Sequence, residues 1–328
     1  MEIPDLEDGK TALHLAAERE GTYAETVNTI RRLLKDGFDI GAKNIYGDTP
    51  LHLACGAKRD IAVMELIEDG ADVSASNDEG QTPLHYAMGL MEYDDAEMEA
   101  RSVLVHMLTN KLGADPNARN VFGRTPLHET PCGSTVATLV RAGADVRSVG
   151  MNGETPLHGA LDADAVEILV AKGADPNART VNGMTPLHKA TMRNDPATIE
   201  ALVSCGADIE AKDEMGRTPL AWAGCAGRTQ AAKALVGMNA DLASVDIHGD
   251  TPLHLATRRT ERATARVLMD AGANHYVENL TGETPRGIAE SAALAGGDRV
   301  ILSLMDAGRL SEAHAKKASR PREAEVGL

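Results

Sequence analysis

The sequence predicts an all-α-dominated repeat solenoid, a stack of units that each contain helix, turn, helix and a β-hairpin finger. Three observations predict it. First, a glycine is followed two residues later by a threonine at Thr11, Thr49, Thr82, Thr125, Thr155, Thr185, Thr218, Thr251 and Thr284. Second, a landmark that is usually Gly-Ala-Asp begins at Gly37, Gly70, Gly113, Gly143, Gly173, Gly206, Asn239 and Gly272, always 12 residues before the next threonine. One leg of the unit is therefore fixed in length, and all insertions and deletions fall in the other. Self-similarity of this kind marks an array in which each unit touches only its neighbours. Third, aromatic residues make up 2% of the chain, as suits a thin helical layer filled by Leu, Ala and Val.

Each element follows from the unit Gly249-Asp250-Thr251-Pro252-Leu253-His254-Leu255-Ala256. Thr251 is an N-cap whose hydroxyl accepts from a free amide of the first turn. Pro252 falls at the first helical position, where its fixed φ fits and its missing N–H is no loss. Leu253 and Ala256 share one face and point inward. A second helix, Thr264 to Asp270, carries Val267 and Leu268, and Gly272 supplies the left-handed residue that ends it. Asn239 takes that place in repeat seven, being the other residue that tolerates a left-handed backbone. The constant leg, such as Gly272 to Thr284, holds an extended stretch and a turn at Gly282. Constant length suits a hairpin, since a slip of one residue would reverse its side chains.

This pattern resembles the ankyrin repeat family. The resemblance covers residues 5–310, with Thr-x-Leu in eight units, seven of them ending in histidine at His14, His52, His85, His128, His158, His188 and His254. It implies an L-shaped repeat, two antiparallel helices with the finger projecting nearly perpendicular, stacked into a curved solenoid. It also implies that these histidines bridge neighbouring loops and have no catalytic task. The domain reading is one array over residues 1–310, of about nine repeats with N- and C-terminal caps, and a disordered tail over 311–328.

Departures from the repeat are where individual function is expected. Repeat one is stretched around Gly21–Glu25 and has Ala12 in place of proline, both suited to an N-terminal cap. An acidic insert near 89–111 enlarges repeat three and carries Glu92, Asp94, Asp95, Glu97 and Glu99 against Arg101. It prolongs the helices or forms a protruding acidic loop; it lacks the glycine turn and ligand spacing of a calcium loop. Repeats four and five are each short by about one helical turn, and Pro131 with Cys132-Gly133 breaks the first helix of repeat four early. Trp222 occupies the slot of Leu15, Leu53 and Leu255, and is expected between helices. Repeat nine, Thr284-Pro285-Arg286-Gly287, abandons the histidine and reads as a C-terminal cap.

Composition narrows the function. The formal net charge is −16, and residues 1–124 hold 23 acids against 12 bases. Such a chain repels nucleic acid and anionic membranes, so neither is expected as a direct partner. There is no apolar run long enough for a transmembrane helix, and Met1-Glu2-Ile3-Pro4-Asp5 does not open a secretory signal. Cys55, Cys132, Cys205 and Cys225 are scattered, which favours free thiols in a reducing compartment over disulfides or zinc ligands. A cytoplasmic protein is expected, with the nucleus or delivery into a host cell left open. Phosphate-binding, zinc-protease and nucleophile-elbow motifs are absent, so no enzyme, cofactor, metal or small-molecule substrate is expected.

The expected activity is binding of another protein through the concave side, formed by finger tips and inner helices. The candidate partner-binding residues are Tyr46, Phe122, Arg124, Met151, Met184, Met215, Arg217 and His248. Apolar side chains at such tips are costly to leave in water without a use, and methionine suits a surface that adapts its shape. Arg258, Arg259, Arg262 and Arg266 form a basic cluster, either a solvated helix face or a seat for an acidic end of a ligand. A different class of function is an acidic inhibitor, immunity or effector-type protein that blocks a basic groove on its target. A third is an adaptor that uses the array for one protein and residues 311–328 for another.

Overall fold

The computed structural model describes residues 7–89, 95–130, 132–296 and 299–306. Helix pairs follow one another along the chain: α1 (Ala12–Glu18) with α2 (Tyr23–Lys35), α3 (Pro50–Gly56) with α4 (Asp60–Glu68), and α5 (Pro83–Ala87) with α6 (Asp95–His106). A π turn, Met107–Lys111, continues α6. In repeat four the first helix shrinks to a 3-10 turn, Pro126–Glu129, ahead of α7 (Gly133–Arg141), and in repeat five to α8 (Pro156–Gly159), ahead of α9 (Ala163–Ala171). Full pairs then return as α10 (Pro186–Arg193) with α11 (Pro196–Ser204), α12 (Pro219–Ala226) with α13 (Thr229–Gly237), and α14 (Pro252–Arg258) with α15 (Arg262–Asp270). α16 (Pro285–Leu294) and a helical turn at 300–306 end the described chain. The chain divides into two compact units, residues 1–181 and 182–328.

The repeated threonine starts each first helix as the sequence requires. Thr251 is extended, its hydroxyl accepts from the His254 amide at 3.4 Å, and its own amide donates to His254 Nδ1 at 3.1 Å. Two orphan donors of the helix start are thereby satisfied reciprocally, histidine standing where Glu or Gln stands in a capping box. At the far end of the pair, Gly272 donates to Met269 O and Ala273 to Leu268 O, both at 2.9 Å. With φ of 96° at Gly272 this is a Schellman stop. Asn239 does the same at φ 64°.

Stacking buries the leucine two places after each threonine. In the first unit α1 packs on α3 and α3 on α5, while α6, α7 and α9 stack in turn; in the second, α10, α12, α14 and α16 stack in series. Leu13, Leu51, Leu84, Leu127 and Leu157, and likewise Leu187, Leu220 and Leu253, are no more than 1% exposed. Each such leucine contributes about 1.5–3 kcal/mol over leaving it in water.

Three expectations are sharpened or changed. Among the described residues no strand forms, so the finger is a closed loop and not a hairpin ladder. Its polar groups are taken by turn bonds within the finger, by side chains and by single contacts to the next finger, which leaves no continuous strand pairing. In the acidic insert, residues from Asp95 to Lys111 are helical and turn-like, while Glu92 and Asp94 lie outside the described residues. Arg101 of that helix is fully buried and donates to Met88 O and, at 2.9 Å, to Gly89 O, capping the carbonyl end of α5. The tail expected to be disordered, residues 311–328, lies outside the described residues, as does Pro131.

Candidate functional site

Most fingers are locked at the base by one side chain placed five residues before the next threonine. Asn44 Oδ1 accepts from the amides of Tyr46 and Asp48, both at 2.9 Å. Asn120 does the same for Phe122 and Arg124, and Asp246 for His248 and Asp250. This is an Asx turn closed twice, and it fixes the tip residue from below. Adjacent tips are tied by one backbone bond. In the first unit Asp78 donates to Tyr46 O at 3.1 Å, Val121 to Glu79 O at 2.8 Å and Met151 to Phe122 O at 2.9 Å. In the second, Ile247 donates to Met215 O and Leu280 to His248 O, both at 3.0 Å.

The histidines brace the fingers from the helix side. His85 Nδ1 accepts from the Thr82 amide at 3.1 Å, and His128 Nδ1 from the Thr125 amide at 3.0 Å. An amide only donates, so Nδ1 is the bare nitrogen and Nε2 carries the proton. His85 Nε2 then donates to Arg124 O at 3.2 Å, and His128 Nε2 to Glu154 O at 3.1 Å, each the carbonyl that closes the next finger. Burial holds both imidazoles neutral and pushes their pKa down to about 4, against the stabilising pull of those carbonyls. His14, His52, His188 and His254 make the same bridge to the following repeat. These side chains are structural.

The candidate residues separate into two groups. Tyr46 and Phe122 are each 53% exposed, Met151 is 72% exposed and Met215 37%; His248 is exposed as well. Met184 is only 9% exposed and presents little apolar surface. Arg124 and Arg217 are drawn inward. Arg124 pairs with Glu154 at 3.0 Å and Glu129 at 3.5 Å and donates to His128 O at 3.1 Å. Arg217 lies 5.5 Å from the centre of the Trp222 ring and 3.8 Å from the buried carboxylate of Asp246. Both arginines are engaged by residues of their own and neighbouring repeats.

Trp222 is half-buried and donates its indole N–H to Asp213 Oδ2 at 2.8 Å. Its column is partly open, since Leu15 is 38% exposed. The slot ranges from open at Leu15 to buried at Leu255, which is 6% exposed, and in Trp222 the polar edge of the indole is used on the finger. Tyr86 plays the same part in the first unit, donating to Asp48 at 2.5 Å.

Sequence reading missed some exposed apolar groups. Val149 and Val245, each six places before a threonine, are 47% and 39% exposed, and Tyr276 is 51% exposed. The common register of the two valines beside the tip was the available signal. In the basic cluster, Arg258 pairs with Asp250 at 3.2 Å and Glu283 at 3.1 Å and holds Glu283 below the ordinary carboxylate range. Arg266 pairs with Asp270. A groove of about 310 Å³ in the second unit is bordered by Arg217, His248, Arg258 and Arg259.

Repeated helix pairs joined by side-chain-locked loops define a helical-repeat protein. A family model described as ankyrin repeats (three copies) matches residues 22–98, 96–180, 131–213, 161–246 and 187–279. Together these matches run through most of the chain, which belongs to the ankyrin repeat family. Ankyrin repeats are generally protein-interaction modules, and no enzymatic family is indicated. No curated protein matches the chain. None of the described helices is long and apolar enough to cross a membrane.

Proposed function

We propose that this chain is a non-catalytic interaction module that captures a partner protein through its finger tips and inner helices, the concave face expected of the family. The observation that carries the reading is the exposure of Tyr46 and Phe122 on tips whose backbone is already fixed by side-chain bonds, and of Met151 on a tip tied to its neighbour by a backbone bond. Burying one such side chain in a partner contributes roughly 1.5–3 kcal/mol. Three or four offset an association cost of about 4–15 kcal/mol, and a rigid loop spends little further entropy on binding. Within the second unit, Met215 and His248 are the exposed tip residues of the same kind. Arg124, Arg217 and Met184 support it from beneath. A cytoplasmic setting belongs to the same reading, consistent with the free thiols of Cys55 and Cys132, both buried.

The test replaces Phe122 and Met151 by Ser and measures capture of the native partner, first identified by affinity capture and mass spectrometry with the parent chain. Binding should weaken by roughly tenfold or more per residue while the helical signal and the unfolding midpoint hold. Unchanged affinity discards this face. The net charge of −16 favours one other reading, an acidic protein that blocks a basic groove. Salt separates the two: an acidic blocker loses its target between low and moderate ionic strength, whereas apolar tips hold theirs and show a negative heat-capacity change.

A further inference from the structure

The finger that closes repeat four differs from the others in chemistry. Its tip reads Met151-Asn152-Gly153, and the place that holds Asn or Asp in the locked fingers is Gly150. Glycine has no side-chain oxygen, so the amides of Asn152 and Glu154 lose the double closure that Tyr46 and Asp48 receive from Asn44. The turn keeps its backbone bonds, Gly153 to Gly150 O at 2.9 Å and Gly150 to Glu154 O at 2.8 Å, and the brace from His128 Nε2 to Glu154 O, but its tip amides have no locking side chain at position 150. Asn152 is exposed and is followed by a residue with no side chain to hinder approach of its amide nitrogen.

We propose that Asn152–Gly153 is a site of spontaneous modification, in which water converts Asn152 to aspartate and isoaspartate and so withdraws the repeat-four tip from the recognition surface. When the turn bond from Gly153 N to Gly150 O opens, the amide nitrogen of Gly153 attacks Cγ of Asn152; an N–Cγ bond forms, the Cγ–Nδ2 bond breaks, and the side-chain nitrogen leaves as ammonia, taking through solvent the proton that the Gly153 amide gives up. The resulting succinimide is opened by water at either carbonyl. The net change is asparagine plus water to aspartate or isoaspartate plus ammonia, with no oxidant or reductant. Both products place a carboxylate beside Met151. The isoaspartate also adds a methylene to the backbone at residue 152, which shifts Gly153 where the next finger is close: a Cβ at Gly153 would sit 3.1 Å from Arg179 O, Thr180 Cα and Val181 N. The bond from Val181 N to Asn152 O, 2.9 Å long, is the first to be lost. The effect on binding rests on the tip-surface reading above; the conversion itself does not.

The experiment ages the full chain at neutral pH and physiological temperature and follows aspartate and isoaspartate in its peptides by mass spectrometry. The peptide spanning Asn152 should convert ahead of that spanning Asn182, which has the same Asn-Gly pair but a hydroxyl residue, Thr180, at the locking place. Gly150→Asp should slow conversion roughly five- to tenfold by restoring the lock. Space exists for it, since a Cβ at Gly150 meets nothing nearer than 3.5 Å and its φ is not left-handed. Gly150→Ser serves as the second variant if the aspartate disturbs folding. An Asn152 that persists while Asn182 converts, or conversion unslowed in both variants, overturns the site. Separately, Asn152→Asp should weaken partner capture; if it does not, the regulatory half of the proposal falls although the chemistry stands.

Discussion

Repeats four and eight open with the same Thr-Pro-Leu-His, yet they use it differently. In repeat eight the string starts a helix of 7 residues, Pro252–Arg258. In repeat four it supports only a 3-10 turn of 4 residues, Pro126–Glu129. The cap and the histidine bridge are the same in both, so they belong to the signature. Helix length is set by the residues after the string: Ala256-Thr257 continues in repeat eight, whereas Thr130 is extended in repeat four, with Cys132-Gly133 close behind. The close approach that shortening permits is visible at the neighbouring repeat. Gly159 of repeat five stands where Leu255 stands in repeat eight, and a Cβ there would lie 2.7 Å from His128 O.

The difference between the two repeats can be tested at three strengths. Acid has the largest expected effect. The folded pKa of His85 and His128 is depressed to about 4 from an ordinary 6.5. Between those values the unfolded chain binds more protons than the folded one. Their contribution is thus complete above about pH 6.5 and is lost as pH falls toward 4, on the order of 2 kcal/mol per histidine by pH 5. Urea midpoints at pH 7 and 5, with amide exchange over residues 1–181, should show the loss; a flat profile contradicts the neutral-bridge assignment.

Next comes removal of the shared bridge. His254→Ala leaves the Thr251 amide without its acceptor and Glu283 O with the Asn279 amide alone, and should cost about 2–4 kcal/mol, read as a lower urea midpoint. A change under a few tenths would mean that the signature histidine is dispensable. The smallest effect tests the shortened repeats. Gly159→Leu installs the residue repeat eight uses at that place and should destabilise by roughly 1–3 kcal/mol through overpacking against His128 O. A neutral or stabilising result would show that repeats four and five do not need their close approach.

Much of the architecture was legible because its causes are local. Thr251, Pro252 and Gly272 act within a few residues of themselves, and the histidine bridge repeats with the period. The finger was less legible: a constant length of 12 residues fits a hairpin or a locked loop equally. The choice lies in Asn44, Asn120 and Asp246, whose side chains replace a strand ladder. The tips were legible as positions but not as surfaces. Phe122 and Met184 occupy similar places near a turn glycine, yet one is half exposed and the other buried.

What the sequence by itself determined is the period, the caps, the left-handed stops and the family, since each depends on chemistry within one unit repeated many times. Tertiary structure alone decided which side chains face water. Exposure of Met184, the inward turn of Arg124 toward Glu129 and Glu154, and the bond from Trp222 to Asp213 depend on what other segments present to them. A repeat signature specifies its own helix starts and stops. It does not specify the neighbour that completes its surface, because burial is a property of two packed elements and not of one.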